Sequence, residues 1–213
     1  MSGTCNWIDD AYGTHQPFLE TYVRSTTGDV LEFGAGHCST GFLRNILAGT
    51  GRKLVSIEDS LEWVETLKSL YPENEDCSYV YLESKEGGQH WKDFLATYKH
   101  KNNISVVFID QSPWEARALT LWHYLKQAEY CIVHDADYFC NNPTPFGKGI
   151  LGEIADATLD RKDEARYKFH LDNYRLYMPP SPWSNKLANV WGPPTLVTSG
   201  TGRPIIPYGD IMF

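Results

Sequence analysis

Asp29-Val30-Leu31-Glu32-Phe33-Gly34-Ala35-Gly36-His37-Cys38-Ser39-Thr40 decides the fold. A short apolar run broken by glycines reads as a strand that ends in a tight turn. Ser39 or Thr40 then caps a helix with Phe42, Leu43, Ile46 and Leu47 inward, stopped at Gly49-Thr50-Gly51. The same alternation runs outward from this unit. Upstream, Pro17 sits just inside a helix carrying Phe18, Leu19, Tyr22 and Val23. Downstream, Lys53 to Ile57 reads as a strand, and Asp59 or Ser60 caps a helix with Leu61, Val64, Leu67 and Leu70, closed by Pro72. Ser78 to Leu82 is a third strand, and Trp91, Phe94, Leu95 and Tyr98 mark the next helix. Ile104 to Ile109 is almost unbroken in its apolarity, as expected of a parallel strand covered on both faces. A helix from about Trp114 to Gln127 and a strand from Tyr130 to Val133 follow. Strands joined by helix-sized crossovers predict a doubly wound, mostly parallel α/β sheet with helices on both faces.

Beyond Tyr138 the texture changes. Asn141 to Pro145 reads as a loop, Ile150 to Leu159 as a helix, and Tyr167 to Leu171 and Thr195 to Thr198 as a final strand pair. Tyr174, Tyr177, Trp183 and Trp191 lie between them, among prolines. No repeat or linker divides the chain, so residues 1–213 are expected to form a single domain. Its 12–140 half would carry the cofactor and 141–213 the substrate loops and last strands.

At 213 residues, folding removes roughly 70% of the unfolded surface, enough for a core without disulfides. Hydrophobic residues are 42% and charged residues 22%, which excludes a disordered chain. Lys and Arg number 19 against 27 Asp and Glu, a net charge of −8, and no basic run appears. That balance counts against a nucleic-acid surface, which needs clustered cations. Met1 to Thr14 has no basic segment followed by an apolar one, and no run approaches the roughly 20 residues of a membrane span. The five cysteines form no C-x-x-C pair, so reduced thiols in a cytoplasmic protein are expected. Cys131 and His134 have a ligand-like spacing but no second pair to complete a zinc site.

Ligands of open α/β sheets bind beyond the carboxyl ends of the strands, so those ends carry the functional reading. The first holds Glu32, Gly34 and Gly36, with Ser39 standing where a dinucleotide fingerprint has its third glycine. The second holds Glu58 and Asp59, at the distance where an acid meets a ribose. The fourth ends at Asp110, and the fifth at His134-Asp135-Ala136-Asp137. Acids and an imidazole at adjacent strand tips suit general base work or oxygen ligation of a divalent ion.

Val30 to Gly36 with Ser39-Thr40 resembles motif I of the class I S-adenosylmethionine-dependent methyltransferases. Ser56 to Val64 is similar to their ribose-binding motif, and Val107 to Asp110 and Ile132 to Asp135 to their fourth- and fifth-strand motifs. Tyr12-Gly13-Thr14-His15-Gln16-Pro17 resembles the segment that closes over the methionine end of the cofactor. The resemblance implies a Rossmann-like sheet of about seven strands and S-adenosylmethionine as cofactor. It implies cofactor contacts from Thr14, His15, Glu32, Gly34, Gly36, Ser39, Thr40, Glu58, Asp59 and Asp110. Asp110, Arg117 and His134 to Asp137 further resemble glycan O-methyltransferases, including the glucuronoxylan enzymes and those of large viruses. That likeness implies a divalent metal at Asp110, Asp135 and Asp137.

The expected activity is transfer of a methyl group to a sugar hydroxyl. Such a hydroxyl is a weak acid, so a side chain or a metal must take up or lower the charge on it. Asp110, His134 and Asp135 are the catalytic candidates, and Trp114, Arg117 and Trp183 the substrate candidates, their aromatic faces suited to stacking on a sugar ring. The expected partner is a glycan or small-molecule acceptor. A small-molecule or nucleic-acid methyltransferase, an NAD-dependent oxidoreductase and a non-catalytic cofactor-binding protein are the alternatives.

Overall fold

The computed structural model describes residues 11–85, 88–135, 173–177 and 195–212. A short 3-10 turn at Ala11–Gly13 leads into α1 (Gln16–Arg24), with proline in its first turn. Next come β1 (Asp29–Phe33), α2 (Thr40–Leu47), β2 (Leu54–Glu58), α3 (Leu61–Leu70), β3 (Cys77–Tyr81) and α4 (Gln89–Thr97). They are followed by β4 (Ile104–Ile109), α5 (Trp114–Tyr124), β5 (Ala128–Val133), β6 (Tyr174–Tyr177) and β7 (Thr195–Thr198). Ser60 rather than Asp59 caps α3, accepting from the Trp63 N–H, which leaves the Asp59 carboxylate for another use. α5 stops at Tyr124, short of the expected Gln127, and β5 begins earlier because Ala128 is buried and pairs with Ile104.

The sheet order is β3-β2-β1-β4-β5-β7-β6. β1 to β5 pair in parallel, and β7 runs antiparallel between β5 and β6. The mostly parallel, seven-stranded, doubly wound arrangement read from the sequence is therefore the arrangement found. The sixth strand differs: Tyr174–Tyr177, expected among the aromatic acceptor loops, pairs with β7. Tyr177 is buried and shares a hydroxyl contact of 2.6 Å with Tyr22, so it packs the sheet rather than facing a ligand. The helix expected at 150–159 and the strand expected at 167–171 lie outside the described residues.

Alternation along each strand sorts the core into two faces. Leu31, Phe33, Val107, Ile109 and Val133 pack against Trp91 and Phe94 of α4 and Leu121 and Tyr124 of α5. Val30, Phe108 and Ile132 pack on the other face with Phe18, Leu19 and Tyr22 of α1 and Leu43 and Leu47 of α2. Among the described residues no helix is long and apolar enough to cross a membrane. Cys77 and Cys131 are buried free thiols, but Cys38 is disulfide-bonded. The expectation of five reduced thiols, read from linear spacing, is corrected on that point, because spacing does not report which sulfurs meet in space.

The opposite pole of the sheet is tied by Asp29. Its carboxylate accepts from the Lys53 N–H, the His100 Nε2 and the Asn102 amide, each at 2.8 Å. Burial alone would raise this carboxyl, but those donors outweigh it and hold it below its usual range. Asp29→Ala should lower unfolding free energy by roughly 3 kcal/mol, since it orphans buried donors to a charged acceptor. A depressed folded-state value means the contribution is complete above the unfolded value, about 3.9, and is lost as pH falls through the lower folded one. Urea unfolding of both proteins from pH 7 to pH 2 checks this: their difference should shrink only at the acid end.

Candidate functional site

The order of the strands reverses between β1 and β4, and both candidate cavities open at the carboxyl side of that point. Gly34 makes the close approach there. Its φ is +83°, and an added Cβ would lie 2.5 Å from the Asp110 carbonyl carbon and the Gln111 nitrogen. This glycine is required by the packing of two strand ends against each other. Gly36 is different, because a Cβ on it would meet only the Ser39 hydroxyl, at 3.3 Å, and Gly36 borders a cavity of about 430 Å³.

Glu32 lies beneath the turn, fully buried on the α1–α2 face of β1. Its Oε2 accepts from the Thr40 and Ser56 hydroxyls, while Oε1 has no hydrogen-bond partner. Burial pushes this carboxyl up to about 7, against the pull of the Ser39, Ser56 and Thr40 hydroxyls. Glu58 ends β2 with Oε1 accepting from the Asp59 and Ser60 N–H groups at 3.1 and 3.0 Å. Burial, with Asp59 beside it, pushes Glu58 up to about 7. Asp59 turns to a second cavity of about 620 Å³ and meets His90 Nε2 at 2.9 Å.

The smaller cavity brings together His15, Ser39, Asp110, Arg117, His134 and Asp135. The register explains why. Phe108 pairs with Ile132, so Asp110 and His134, two residues further along each strand, emerge side by side on the α1 face. His134 Nδ1 lies 3.3 Å from Asp110 Oδ2 and 3.7 Å from Asp135 Oδ1, and its Nε2 is 3.3 Å from the Thr14 hydroxyl. Burial opposes charge on both partners, yet their mutual attraction wins. Asp110 is held below the ordinary carboxylate range, aided by Arg117, and His134 above the ordinary imidazole range, aided by Asp135. His15, at the start of α1, stacks edge-on against His134 with centroids 4.6 Å apart. Burial and the neighbouring His134 charge lower it to about 3, so it stays neutral. A hydrogen bond with the Cys38 backbone works against that lowering without overcoming it.

Arg117, expected to meet substrate, is committed elsewhere. It donates to the carbonyls of Gln111, Asp110 and His134 at 2.7, 3.0 and 3.0 Å, and pairs with Asp110 Oδ1 at 3.0 Å and Asp135 Oδ2 at 3.2 Å. Its guanidinium thus bridges the two acids expected to hold a divalent metal, and Asp137 lies outside the described residues. With a cation already between Asp110 and Asp135, that pair does not fit a metal ion. Thr14, Glu32, Gly34, Thr40 and Glu58 line neither cavity. Trp114 stands at the start of α5, and Trp183 lies outside the described residues. Two neighbours escaped sequence reasoning. Trp63 borders the smaller cavity, donates to the Ala35 carbonyl at 2.6 Å and packs edge-on against His37; its only signal was an aromatic in the first turn after the acidic strand end. His90 carried no signal, because its pairing with Asp59 spans 31 residues.

Comparison with known proteins agrees with the fold. No protein-family model and no curated sequence matches the chain. Among solved structures, a candidate O-methyltransferase from Klebsiella pneumoniae is similar at a TM-score of 0.57 and 13% identity, over 93% of this chain and 92% of that one. A candidate caffeoyl-CoA O-methyltransferase from Staphylococcus aureus gives 0.53 and 10%, over 86% and 82%. The methyltransferase PaMTH1 of Podospora anserina, solved with S-adenosylhomocysteine, gives 0.51 and 10%, over 88% and 77%. The chain has the Rossmann-like methyltransferase fold.

Gly34→Ala should destabilise the protein by more than about 1 kcal/mol, because φ is positive and the new methyl meets backbone. Thermal unfolding checks the loss. Gly36→Ala, with open space before it, should unfold within a few degrees of wild type.

Proposed function

We propose that this chain is an S-adenosylmethionine-dependent O-methyltransferase acting on a sugar hydroxyl of a glycan, with residues 1–213 forming one methyltransferase domain. The observation that carries the reading is the cavity beyond the Gly34–Gly36 turn, where Gly36, Ser39 and His15 face the paired Asp110 and His134. In this reading Gly36, Ser39 and His15 face the methionine end with Glu32 buried beneath their turn, Glu58 takes the ribose, and Asp59 lies toward the adenine in the larger cavity.

The reaction breaks the sulfonium S–CH₃ bond and forms an O–CH₃ bond, leaving neutral S-adenosylhomocysteine and one proton from the acceptor. Since the donor already carries its leaving group, alignment supplies several kcal/mol of the barrier. The proton passes to the Asp110–His134–Asp135 cluster, where two carboxylates stabilise positive charge on the imidazole. Arg117 keeps both carboxylates turned toward His134. A neutral or weakly charged acceptor suits a chain of net charge −8, because a polyanion would be repelled on approach.

Calorimetry with S-adenosylhomocysteine tests the cofactor. Wild type should bind, and Glu58→Ala should lose about 1.5–3 kcal/mol, roughly 10- to 150-fold in affinity. No heat, or full affinity in the variant, would overturn the assignment. Asp110→Asn should lower turnover by about 10²–10⁴-fold while unfolding at a similar temperature, measured as methyl transfer from labelled cofactor. Mass spectrometry of saccharide, catechol and RNA acceptors tests the substrate: methylation confined to catechol or RNA would sink the sugar reading.

A further inference from the structure

We propose that His90 is a positioning residue for the larger cavity: it fixes Asp59 as a hydrogen-bond acceptor on the cavity wall, so that the cavity selects a purine nucleoside whose base carries an amino group. His90 lies in the first turn of α4 and is 5% exposed. Both of its ring nitrogens are engaged. The Lys85 backbone N–H donates to Nδ1 at 2.9 Å, and Nε2 lies 2.9 Å from Asp59 Oδ2. A backbone N–H can only donate, so Nδ1 holds the lone pair and the ring proton sits on Nε2. The Nε2–H therefore donates to Asp59, and one peptide group sets the direction of both bonds.

The same turn of α4 gathers the walls of the cavity. Lys85 belongs to the loop after β3 and Asp59 to the tip of β2. Trp91, one residue further along α4, donates from Nε1 to the Ser112 carbonyl beyond β4 at 2.9 Å. Asp59, Lys85, His90 and Ser112 all border the 620 Å³ space. The Lys85 ammonium is paired with Asp93 at 2.8 Å, so it does not compete with the imidazole for Asp59. The Asp59 side chain keeps 21% of its surface exposed, enough to meet a ligand, whereas His90 acts only through it.

A carboxylate held by an N–H offers nothing but lone pairs to what enters the cavity. A base with an amino group supplies the matching donor. One without it displaces water from the carboxylate and returns no hydrogen bond, which is the costly case. Remove the imidazole, and Asp59 is free to rotate or to take a proton and donate, so the preference for an amino group goes. The inference rests on the reading that places the nucleoside of S-adenosylmethionine in this cavity; the His90–Asp59 geometry stands without it.

Calorimetry of the full chain tests the selection, with S-adenosylhomocysteine and with its deamino analogue, whose purine bears hydrogen in place of the amino group. Wild type should favour the amino ligand by about tenfold or more. His90→Leu should bring that ratio to within about threefold, and His90→Gln, which keeps one acceptor and one donor, should restore most of it. A merely structural role would weaken both ligands alike and leave the ratio standing, which would overturn the proposal. Thermal unfolding verifies that each variant is folded, and His90→Met serves if His90→Leu is not. Long-range nitrogen NMR should find the His90 ring proton on Nε2; a proton on Nδ1 would equally overturn the proposal. A His90-dependent ratio in a chain that methylates no acceptor refutes the methyltransferase reading alone. A ratio indifferent to His90 in an active methyltransferase refutes this inference alone, and binding of neither ligand refutes both.

Discussion

Arg117 reaches from the first turn of α5 between the ends of β4 and β5, and each branch of its fork meets an oxygen. Burying a guanidinium costs several kcal/mol, and only a full set of well-placed acceptors offsets that. Here three are backbone carbonyls from the two loops that carry the candidate chemistry, and two are the carboxylates of Asp110 and Asp135. The loops after β4 and β5 therefore cannot move independently. Asp135, a non-glycine residue at φ +54°, stays in that sparsely populated region because its side chain is held by the same cation.

Behind this clamp stands a simple consequence of pleating. Glu32, Asp110 and His134 share strand parity on three neighbouring parallel strands, so all three point toward α1 at the same end of the sheet. A slip of one residue in the β4–β5 register would send His134 to the α5 face and leave Asp110 opposite a backbone carbonyl. The absence of side-chain bulk at Gly34 lets β1 and β4 close up at that level. The site is thus built by the sheet first, and the helices and their starts add His15, Trp63 and Arg117.

What could be read in advance follows the same division. Strand periodicity is local, so β1 to β5, β7 and the acids at the strand tips were legible, as was the mostly parallel sheet, whereas the sixth strand was placed too early in the chain. Cavity-lining positions at those tips, Gly36, Ser39, Asp110, His134 and Asp135, come together as the spacing suggested. Helical phase and long-range pairing are not local. Nothing near Arg117 shows that it turns inward to two strand ends, and nothing near His15 shows a contact with a residue 119 positions later. Tyr177 illustrates the converse error: among prolines it read as a loop aromatic, whereas its hydroxyl meets Tyr22 and the Ile206 carbonyl in the core. Asp59 and Ser60 were equal candidates for the α3 cap by sequence, and it is Ser60 that holds the Trp63 N–H.

The place of β7 has a consequence for how the chain is made. It lies beside β5 in the sheet but follows it by roughly sixty residues, and among the described residues β6, its other neighbour, is the edge strand. At a synthesis rate of about 5–20 residues per second, the outer edge of Cys131-Ile132-Val133 waits some 3–12 s for its partner. Throughout that interval a ribosome displays a bare, apolar strand edge, the kind of surface that recruits other chains. The pairing with β7 is what closes that edge of β5 in the finished sheet.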